Sequence, residues 1–144
     1  MTQREGGSGG PASLLDGLPA TLSPMARARE AQARAARAGF DWPDSLSNLA
    51  KVEEETLELR EAIRLADAPA VSEEIGDLLL ALVNLARAEG HEAERCLAAA
   101  CEKFERRFRA LETRLREQGR TVEQATPAEL DAIWNVVKSG EEGR

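Results

Sequence analysis

The most informative segment of the chain runs from Lys51 to Leu85 and reads KVEEETLELREAIRLADAPAVSEEIGDLLLALVNL. It carries two acidic clusters, one made of Glu54, Glu55 and Glu58 and the other of Glu73, Glu74 and Asp77. In each cluster two acids stand three residues apart, a spacing that puts both carboxylates on one face of a helix. A short turn at residues 67–69 separates the two segments. The clusters are therefore predicted to face each other across an antiparallel helix pair.

The segment that follows Asp77 is apolar on almost every side of a helix and is predicted to be buried. It reads LLLALVNL from Leu78 to Leu85. Carboxylates at the head of a buried helix need a compensating cation, either a protein ammonium or guanidinium group or a metal ion. Facing carboxylates suit Mg²⁺ or Mn²⁺ better than zinc. The alternative is an acidic helix face in water, which is what most glutamate runs are.

Composition favours an all-α protein with one domain. The chain has 144 residues, of which 42% are hydrophobic and 31% charged, and only 3% are aromatic. Alanine, leucine, glutamate and arginine are helix formers, whereas strands favour aromatic and β-branched residues. The net charge of -7 argues against binding nucleic acid through a broad basic surface. With no signal peptide and no long apolar run, the sequence predicts a cytoplasmic protein without a membrane segment.

The predicted architecture is an antiparallel bundle of four main helices plus a short C-terminal helix. Residues 1–18, rich in glycine and serine, are predicted to be a disordered tail, residues 20–138 a single domain, and residues 139–144 a frayed end. Helices are expected at about 24–38, 45–66, 70–89, 92–118 and 127–138, from their apolar spacing and their capping residues. Cys96 and Cys101 have neither zinc nor redox spacing and are expected to be buried free thiols.

Aromatic and basic residues supply further candidates. Phe40 and Trp42 lie in a non-helical connector before Pro43. They are expected either to cover the end of the core or to form a platform near a nucleobase. Lys103 and Arg107 stand four apart on the fourth helix, where they either pair with nearby glutamates at the surface or face an anion.

At this point the pattern resembles the MazG family of nucleoside triphosphate pyrophosphohydrolases, in the all-α NTP pyrophosphatase superfamily. The superfamily motif is EExxE followed by ExxD, and here it reads Glu54-Glu55-Thr56-Leu57-Glu58 and Glu74-Ile75-Gly76-Asp77. The resemblance covers residues 20–138 and includes the blocks GFDW at 39–42, GDLLLALVNLAR at 76–87, EKFERRFR at 102–109 and WNVVK at 134–138. It is strongest to the C-terminal unit of two-unit family members.

The resemblance implies roles for residues that the spacing alone leaves open. It implies Mg²⁺ ligands at Glu55, Glu58, Glu74 and Asp77, and nucleotide-binding or catalytic groups at Lys103, Arg107, Trp134 and Lys138. Glu54 or Glu73 is the candidate to orient or deprotonate the attacking water. The implied reaction is Mg²⁺-dependent hydrolysis of a nucleoside triphosphate to a nucleoside monophosphate and pyrophosphate, and Mn²⁺ is expected to substitute.

Two alternatives belong to different classes of function. The first alternative to this reaction is a relative restricted to one nucleotide, such as a dCTP or dUTP pyrophosphatase or a phosphoribosyl-ATP pyrophosphohydrolase. The second is a non-enzymatic helical dimerisation module. Each reading expects a homo-oligomer, most simply a dimer. Four helices cannot surround the apolar third helix on every side, so a second copy is predicted to cover the face that is left.

Overall fold

The protein is helical throughout the part that the structure, a computed structural model, describes. That part is residues 12–142, with side chains through residue 141. Its elements are α1 (Pro24–Arg37), α2 (Ser45–Arg64), α3 (Ala68–Ala88), α4 (Ala93–Glu117) and α5 (Pro127–Glu142), with a 3₁₀ turn at Val122–Gln124. Residues 12–142 contain no strand, so the predicted all-α class is confirmed. None of these helices has the length and apolarity needed to span a lipid bilayer.

Local sequence sets the helix boundaries near the site. The Ser23 hydroxyl accepts a hydrogen bond from the Ala26 N–H (3.2 Å) and begins α1, while the Asp44 carboxylate accepts one from the Ser47 N–H (2.7 Å) and begins α2. These oxygens satisfy amide groups that have no partner within the helix. Gly39 adopts φ 92° just after α1, a left-handed conformation that glycine enters without strain. The chain thus leaves α1 through a connector at residues 38–44.

The chain divides into two compact units, of which the first extends to Glu94. In this unit both α1 and α2 pack on α3. Asn48 on α2 contacts Asn84 on α3, and Glu55 lies beside Glu74. The two helices therefore run in opposite directions. This is the antiparallel pairing that the short turn predicts. It brings the two acidic segments together.

The second unit begins at Arg95 and contains most of α4 together with α5. The rings of Phe104 and Trp134 have centroids 5.5 Å apart, and Arg120 near the end of α4 binds Glu129 at the start of α5. These contacts define an antiparallel hairpin. Leucine and valine side chains are buried in it, namely Leu111, Leu115 and Val137. Burial of such side chains is the main stabilising contribution to a helical hairpin of this kind.

The predicted N-terminal tail can be compared with the structure only from residue 12 onward. Residues 1–11 lie outside the described residues. Residues 12–18 belong to the predicted disordered tail, and in the structure Ser13 and Asp16 close a hydrogen-bonded turn. Arg34 of α1 donates from Nη1 to the carbonyl oxygens of Leu14 (3.2 Å) and Asp16 (2.7 Å). The glycine and serine content of the tail did not reveal this long-range contact.

The C-terminal boundary also differs from the prediction, because α5 continues to Glu142 instead of ending at residue 138. The Glu141 carboxylate accepts hydrogen bonds from Nε of Arg106 (3.1 Å) and Nε of Arg107 (2.7 Å) on α4. These ion pairs hold residues 139–141 against α4, where sequence alone predicts a frayed end. The last two residues, 143 and 144, lie outside the described part.

Burial in the single chain bears on two expectations, one for α3 and one for the cysteines. Within the single chain Val83 is the buried residue of α3, whereas the side chains of Leu79 and Leu82 are 48% and 43% exposed. Within the first unit α1 and α2 cover only part of the α3 surface, and the exposed leucines lie on a face that a second copy is predicted to cover. Cys96 and Cys101 are free but exposed, not buried. The α4 surface that carries them is open in the single chain.

Acid titration should reveal the contribution of Glu129 to stability. Its carboxylate accepts from both Nη atoms of Arg120 (3.0 Å each) and from the Thr126 N–H (2.7 Å), which completes the capping box at the start of α5. The Arg120 hydrogen bond, followed by those from Thr126, lowers the pKa of Glu129 to about 2. A carboxyl group with a lowered folded-state pKa stabilises the fold above its unfolded pKa and loses that effect as pH falls toward the folded value.

We therefore expect Glu129→Gln to lower the melting temperature by a few degrees at pH 7. The gap from the unsubstituted protein should shrink as pH falls from about 4.5, the usual glutamate pKa, toward about 2. Circular dichroism melts across this pH range measure it. Glu102→Gln, at an exposed position on α4, is the control and should leave the gap near zero. A gap that stays constant with pH would contradict the assignment.

Candidate functional site

The α2–α3 pair assembles a group of carboxylates. Glu55, Glu58 and Glu74 each place one carboxylate oxygen so that the three oxygens all lie within 4.8 Å of one another. We refer to these three residues as the acidic cluster. Glu55 and Glu58 are one turn apart on α2, and Glu74 reaches them from the antiparallel α3. The structure thus brings together three of the four metal ligands that the sequence suggests.

The fourth suggested ligand, Asp77, lies close by but is not part of this group. It is exposed on α3, one turn after Glu74. Its charge is one of the causes that raise the pKa of Glu74, and it lines a pocket that Glu55 also lines. Asp77 therefore faces the same region without sharing the 4.8 Å spacing of the acidic cluster.

Two oxygens of the acidic cluster are buried and unsatisfied. Oε2 of Glu55 and Oε2 of Glu74 have almost no exposed surface and accept no hydrogen bond from any described residue. The Glu55 residue as a whole is only 5% exposed. Burial, and then the charges of Glu58 and Asp77, raise the pKa of Glu74 above its usual value. A buried anionic oxygen without a partner is costly, so this group calls for a cation.

Lys51 supplies part of that positive charge and was not among the residues selected from sequence. Its Nζ lies 2.7 Å from Oε1 of Glu55 and 3.2 Å from Oε1 of Glu54. The hydrogen bond to Glu55, and then that to Glu54, raises the pKa of the Lys51 ammonium. The i,i+4 spacing between Lys51 and Glu55 is the sequence signal that could have identified it.

The donor set fits a hard divalent cation better than it fits Lys51 alone. One ammonium satisfies Oε1 of Glu55, but it leaves the two buried Oε2 atoms without a partner. Carboxylate oxygens in this number are the ligands that Mg²⁺ and Mn²⁺ prefer. An ion among Glu55, Glu58 and Glu74 would satisfy both atoms and relieve the repulsion between the three charges.

The two glutamates suggested as water-activating groups flank this cluster. Glu54 and Glu73 are both exposed, each next to a cluster member in sequence. Glu54 shares the Lys51 ammonium with Glu55, while Glu73 contributes to the raised pKa of Glu74. Both therefore lie at the edge of the acidic cluster and in contact with water.

A pocket of about 450 Å³ adjoins the acidic cluster within the first unit. Glu55 and Asp77 line it on the acidic side. Phe40 and Trp42 line it on the connector side, and their side chains are 84% and 49% exposed. We call this the aromatic pocket. Aromatic rings so exposed do not cover the end of the core, so the first of the two interpretations of this connector is wrong.

Amide side chains line the aromatic pocket. Asn84 donates from Nδ2 to Oδ1 of Asn48 (2.7 Å). Gln32 donates from Nε2 to the Leu80 carbonyl (2.9 Å), and its buried Oε1 accepts no hydrogen bond from a described residue. The pocket thus combines aromatic rings, amides and the Lys51 ammonium. This mixture is typical of a site for a small polar molecule with a flat ring.

The remaining suggested residues belong to the second unit, where the α4–α5 hairpin arranges them. Arg107 is 17% exposed and pairs with Glu141, not with the neighbouring glutamates that the surface alternative assumed. Trp134 rests against Phe104. Lys103 is exposed and Lys138 half-buried, and neither forms an ion pair within the described part of the chain. The ring contact brings the segment 103–107 of α4 beside the segment 134–138 of α5.

Comparison with known proteins gives a consistent result. Residues 44–111 match the MazG nucleotide pyrophosphohydrolase domain, a range that includes every residue of the acidic cluster. The chain is 40% identical over 131 residues to a nucleoside triphosphate pyrophosphohydrolase of Escherichia coli (strain K12), covering 90% of this chain and 50% of that protein.

A second relative comes from Thermotoga maritima and is named nucleoside triphosphate pyrophosphohydrolase/pyrophosphatase MazG. It is 37% identical over 118 residues, which cover 82% of this chain and 45% of the relative. The chain thus spans about half the length of the curated relatives it matches. From the matched domain and these two similarities, the chain carries a MazG domain and belongs to the MazG family of nucleotide pyrophosphohydrolases.

Proposed function

We propose that this protein is a Mg²⁺-dependent pyrophosphohydrolase that cleaves nucleoside triphosphates between the α and β phosphorus atoms. The products are a nucleoside monophosphate and pyrophosphate. The proposal rests above all on the two buried, unpartnered carboxylate oxygens of Glu55 and Glu74, which adjoin a pocket with an aromatic rim. Membership of the MazG family supports the reaction type.

In this proposal Glu55, Glu58, Glu74 and Asp77 hold the metal. A divalent ion bound there supplies Lewis-acid polarisation of phosphoryl oxygens and a lowered pKa for water. These carboxylates would hold the ion next to the aromatic pocket, which Glu55 and Asp77 also line. Glu54 and Glu73 are the exposed bases that can orient the attacking water and accept its proton, since both border the acidic cluster.

Positive residues offset the charge of the polyphosphate. We assign this role to Lys103, Arg107 and Lys138, with Trp134 as a nucleotide contact. The two lysines form no ion pair among the described residues, so their ammonium groups need no exchange of partner before binding an anion. Cations placed where negative charge accumulates stabilise the transition state of phosphoryl transfer.

The aromatic pocket is assigned to the nucleoside. Its lining includes Glu55 and Asp77, which would hold the metal, and a base and sugar in this pocket would lie beside Phe40 and Trp42. Exposed aromatic rings stack on any nucleobase. This favours a pocket that accepts several bases over the alternative of a relative restricted to one nucleotide.

The decisive test is product analysis with a panel of canonical and damaged triphosphates. With Mg²⁺ or Mn²⁺ we expect equimolar nucleoside monophosphate and pyrophosphate, and EDTA should abolish the release because the carboxylates then lack their cation. Turnover of one triphosphate alone would favour the base-restricted alternative. No turnover of any triphosphate would favour the dimerisation module and refute the proposed activity.

A homodimer is part of the proposed function. Ile75, Leu79 and Leu82 follow the i, i+4, i+7 spacing of one helix face, and they are 45%, 48% and 43% exposed in the single chain. A stripe of half-exposed apolar side chains along one helix face is the kind of surface that a protein–protein contact buries. A second copy that places its own α3 against this stripe would bury it, and twofold symmetry is the commonest arrangement.

Light scattering at micromolar concentration checks this expectation. The active protein should have about twice the chain mass of 15.6 kDa or a multiple of that value. Leu79→Glu should shift the mass toward that of one chain, because it places a charge in the middle of the stripe. Leu65→Glu, at another exposed leucine outside the stripe, should not. A mass near 15.6 kDa for active protein would rule out the dimer.

A further inference from the structure

The connector between α1 and α2 is tied to α3 at its centre. Asp41 lies between Phe40 and Trp42, and its two carboxylate oxygens each lie 2.8 Å from Nη2 of Arg87 on α3. The Arg87 side chain is only 16% exposed. The Arg87 hydrogen bond, with smaller contributions from the Trp42 amide and Asn84, holds the pKa of Asp41 below its usual value. The pair therefore remains ionised at neutral pH.

Arg87 is itself held by a relay of side chains. Its Nε donates to Oδ1 of Asn84 (3.0 Å), and Nδ2 of Asn84 donates to Oδ1 of Asn48 (2.7 Å). Asn48, which is 3% exposed, donates in turn to the Asp44 carbonyl at the end of the connector (3.0 Å). A buried relay with each of these amide oxygens accepting a hydrogen bond fixes the guanidinium in one position.

At the other end the relay reaches the backbone that carries the aromatic residues. The Trp42 N–H donates to Oδ1 of Asp41 (2.9 Å), one of the two oxygens that contact Arg87. Phe40 is largely exposed and Trp42 is about half exposed, so packing fixes the first ring little and the second only in part. The Asp41 carboxylate thus ties the connector backbone at Trp42, next to both rings, to Arg87 of α3.

We propose that Arg87 and Asp41 are positioning residues that hold Phe40 and Trp42 over the aromatic pocket for the nucleoside of the substrate. This inference rests on the proposed function. Neither residue touches the acidic cluster in the hydrogen bonds described above. They hold the connector in place before the nucleotide binds, which lowers the entropic cost of ordering it on binding. They therefore act on nucleotide affinity and leave the polyphosphate and metal contacts intact.

The test is steady-state kinetics of Arg87→Met, which keeps the length of the side chain and removes its donors. We expect KM for the nucleoside triphosphate to rise by roughly five- to tenfold, the factor expected when two side chains must be ordered on binding. The kcat should stay within about twofold. Inorganic tripolyphosphate, used as an inhibitor without a base or sugar, should retain its inhibition constant. Arg64→Met is the matched control, since Arg64 pairs closely with Glu61 on the exposed face of α2.

A double-mutant cycle separates positioning from a general structural role. Arg87→Met and Trp42→Ala should each raise KM, and the double variant should raise it no more than the larger single change, because both act through the same ring. Asp41→Asn should raise KM as Arg87→Met does, although it changes the size of the side chain less. It replaces Arg87→Met in the test if that variant fails to fold.

The outcomes distinguish the inference from the function on which it rests. The inference would be overturned, and the proposed function would stand, if KM were unchanged in both Arg87→Met and Asp41→Asn. This conclusion requires that the unsubstituted protein and the Arg64→Met control are active. Effects that multiply in the cycle, or an equal loss of tripolyphosphate inhibition, would also overturn the inference. Inactivity of the unsubstituted protein would instead refute the proposed function.

Discussion

Replacing Glu74 with alanine is expected to reduce pyrophosphate release at least roughly 100-fold, since even residues that only support a metal ligand cost 10–100-fold when they are removed. The same change should leave the melting temperature unaltered or raise it when no metal is added. Glu74 has a buried, unpartnered Oε2 and a raised pKa, caused first by burial and then by neighbouring carboxylates. Removing it relieves repulsion and desolvation together.

These opposite effects separate a metal ligand from a residue needed for folding. Activity comes from pyrophosphate release with saturating Mg²⁺, and stability from thermal melts in EDTA. Glu53→Ala is the matched control, because Glu53 is an exposed member of the same glutamate run on α2 and has no assigned role. Alanine at Glu55, Glu58 or Asp77 should also abolish turnover. Normal turnover by Glu74→Ala would refute the metal site.

Much of this site follows from spacing in the sequence. The three-residue intervals within each acidic pair predict shared helix faces, and the short turn before α3 predicts an antiparallel pair. Together they account for the oxygens of Glu55, Glu58 and Glu74 lying within 4.8 Å of one another. The capping residues Ser23 and Asp44 likewise predict where α1 and α2 begin. These features depend on neighbours within a few residues or on one tight turn.

Contacts between residues far apart in sequence could not be predicted in this way. Arg87 and Asp41 are 46 positions apart, and Arg107 and Glu141 are 34 apart. Each pair depends on the register in which two helices or a connector pack, which local spacing does not determine. The burial of individual side chains could not be predicted for a similar reason. The apolar sequence of α3 predicts that the helix is buried, but it does not predict which of its faces the other helices leave exposed.

The contact with Glu141 fixes the orientation of the Arg107 guanidinium. Glu141 accepts from Nε of Arg107 at 2.7 Å, which leaves the two Nη groups of the guanidinium for other acceptors. A guanidinium held through Nε presents the remaining donors in a fixed plane, the geometry that suits phosphate oxygens. The Arg107 hydrogen bond is also the main reason that the pKa of Glu141 is lowered. The carboxylate therefore stays charged and keeps Arg107 in place at neutral pH.

Arg107→Ala is accordingly expected to lower kcat/KM by roughly tenfold or more, because a charge-assisted hydrogen bond is worth about 1.5 to 3 kcal/mol. The measurement is initial-rate kinetics with Mg²⁺ and a nucleoside triphosphate. Circular dichroism must show that the variant keeps its helical content. An unfolded variant would make Arg107 a structural residue and contradict its assignment to the polyphosphate.

Arg106→Ala provides the control that this chain offers. Arg106 precedes Arg107 on α4 and binds the same carboxylate, with its Nε 3.1 Å from Oε1 of Glu141. Its side chain is 63% exposed, so its ion pair contributes little to stability. Both variants lose one ion pair to Glu141, and only Arg107→Ala loses a group assigned to substrate. Equal losses of kcat/KM in the two variants would mean that tethering α5 matters, and would remove Arg107 from the polyphosphate site.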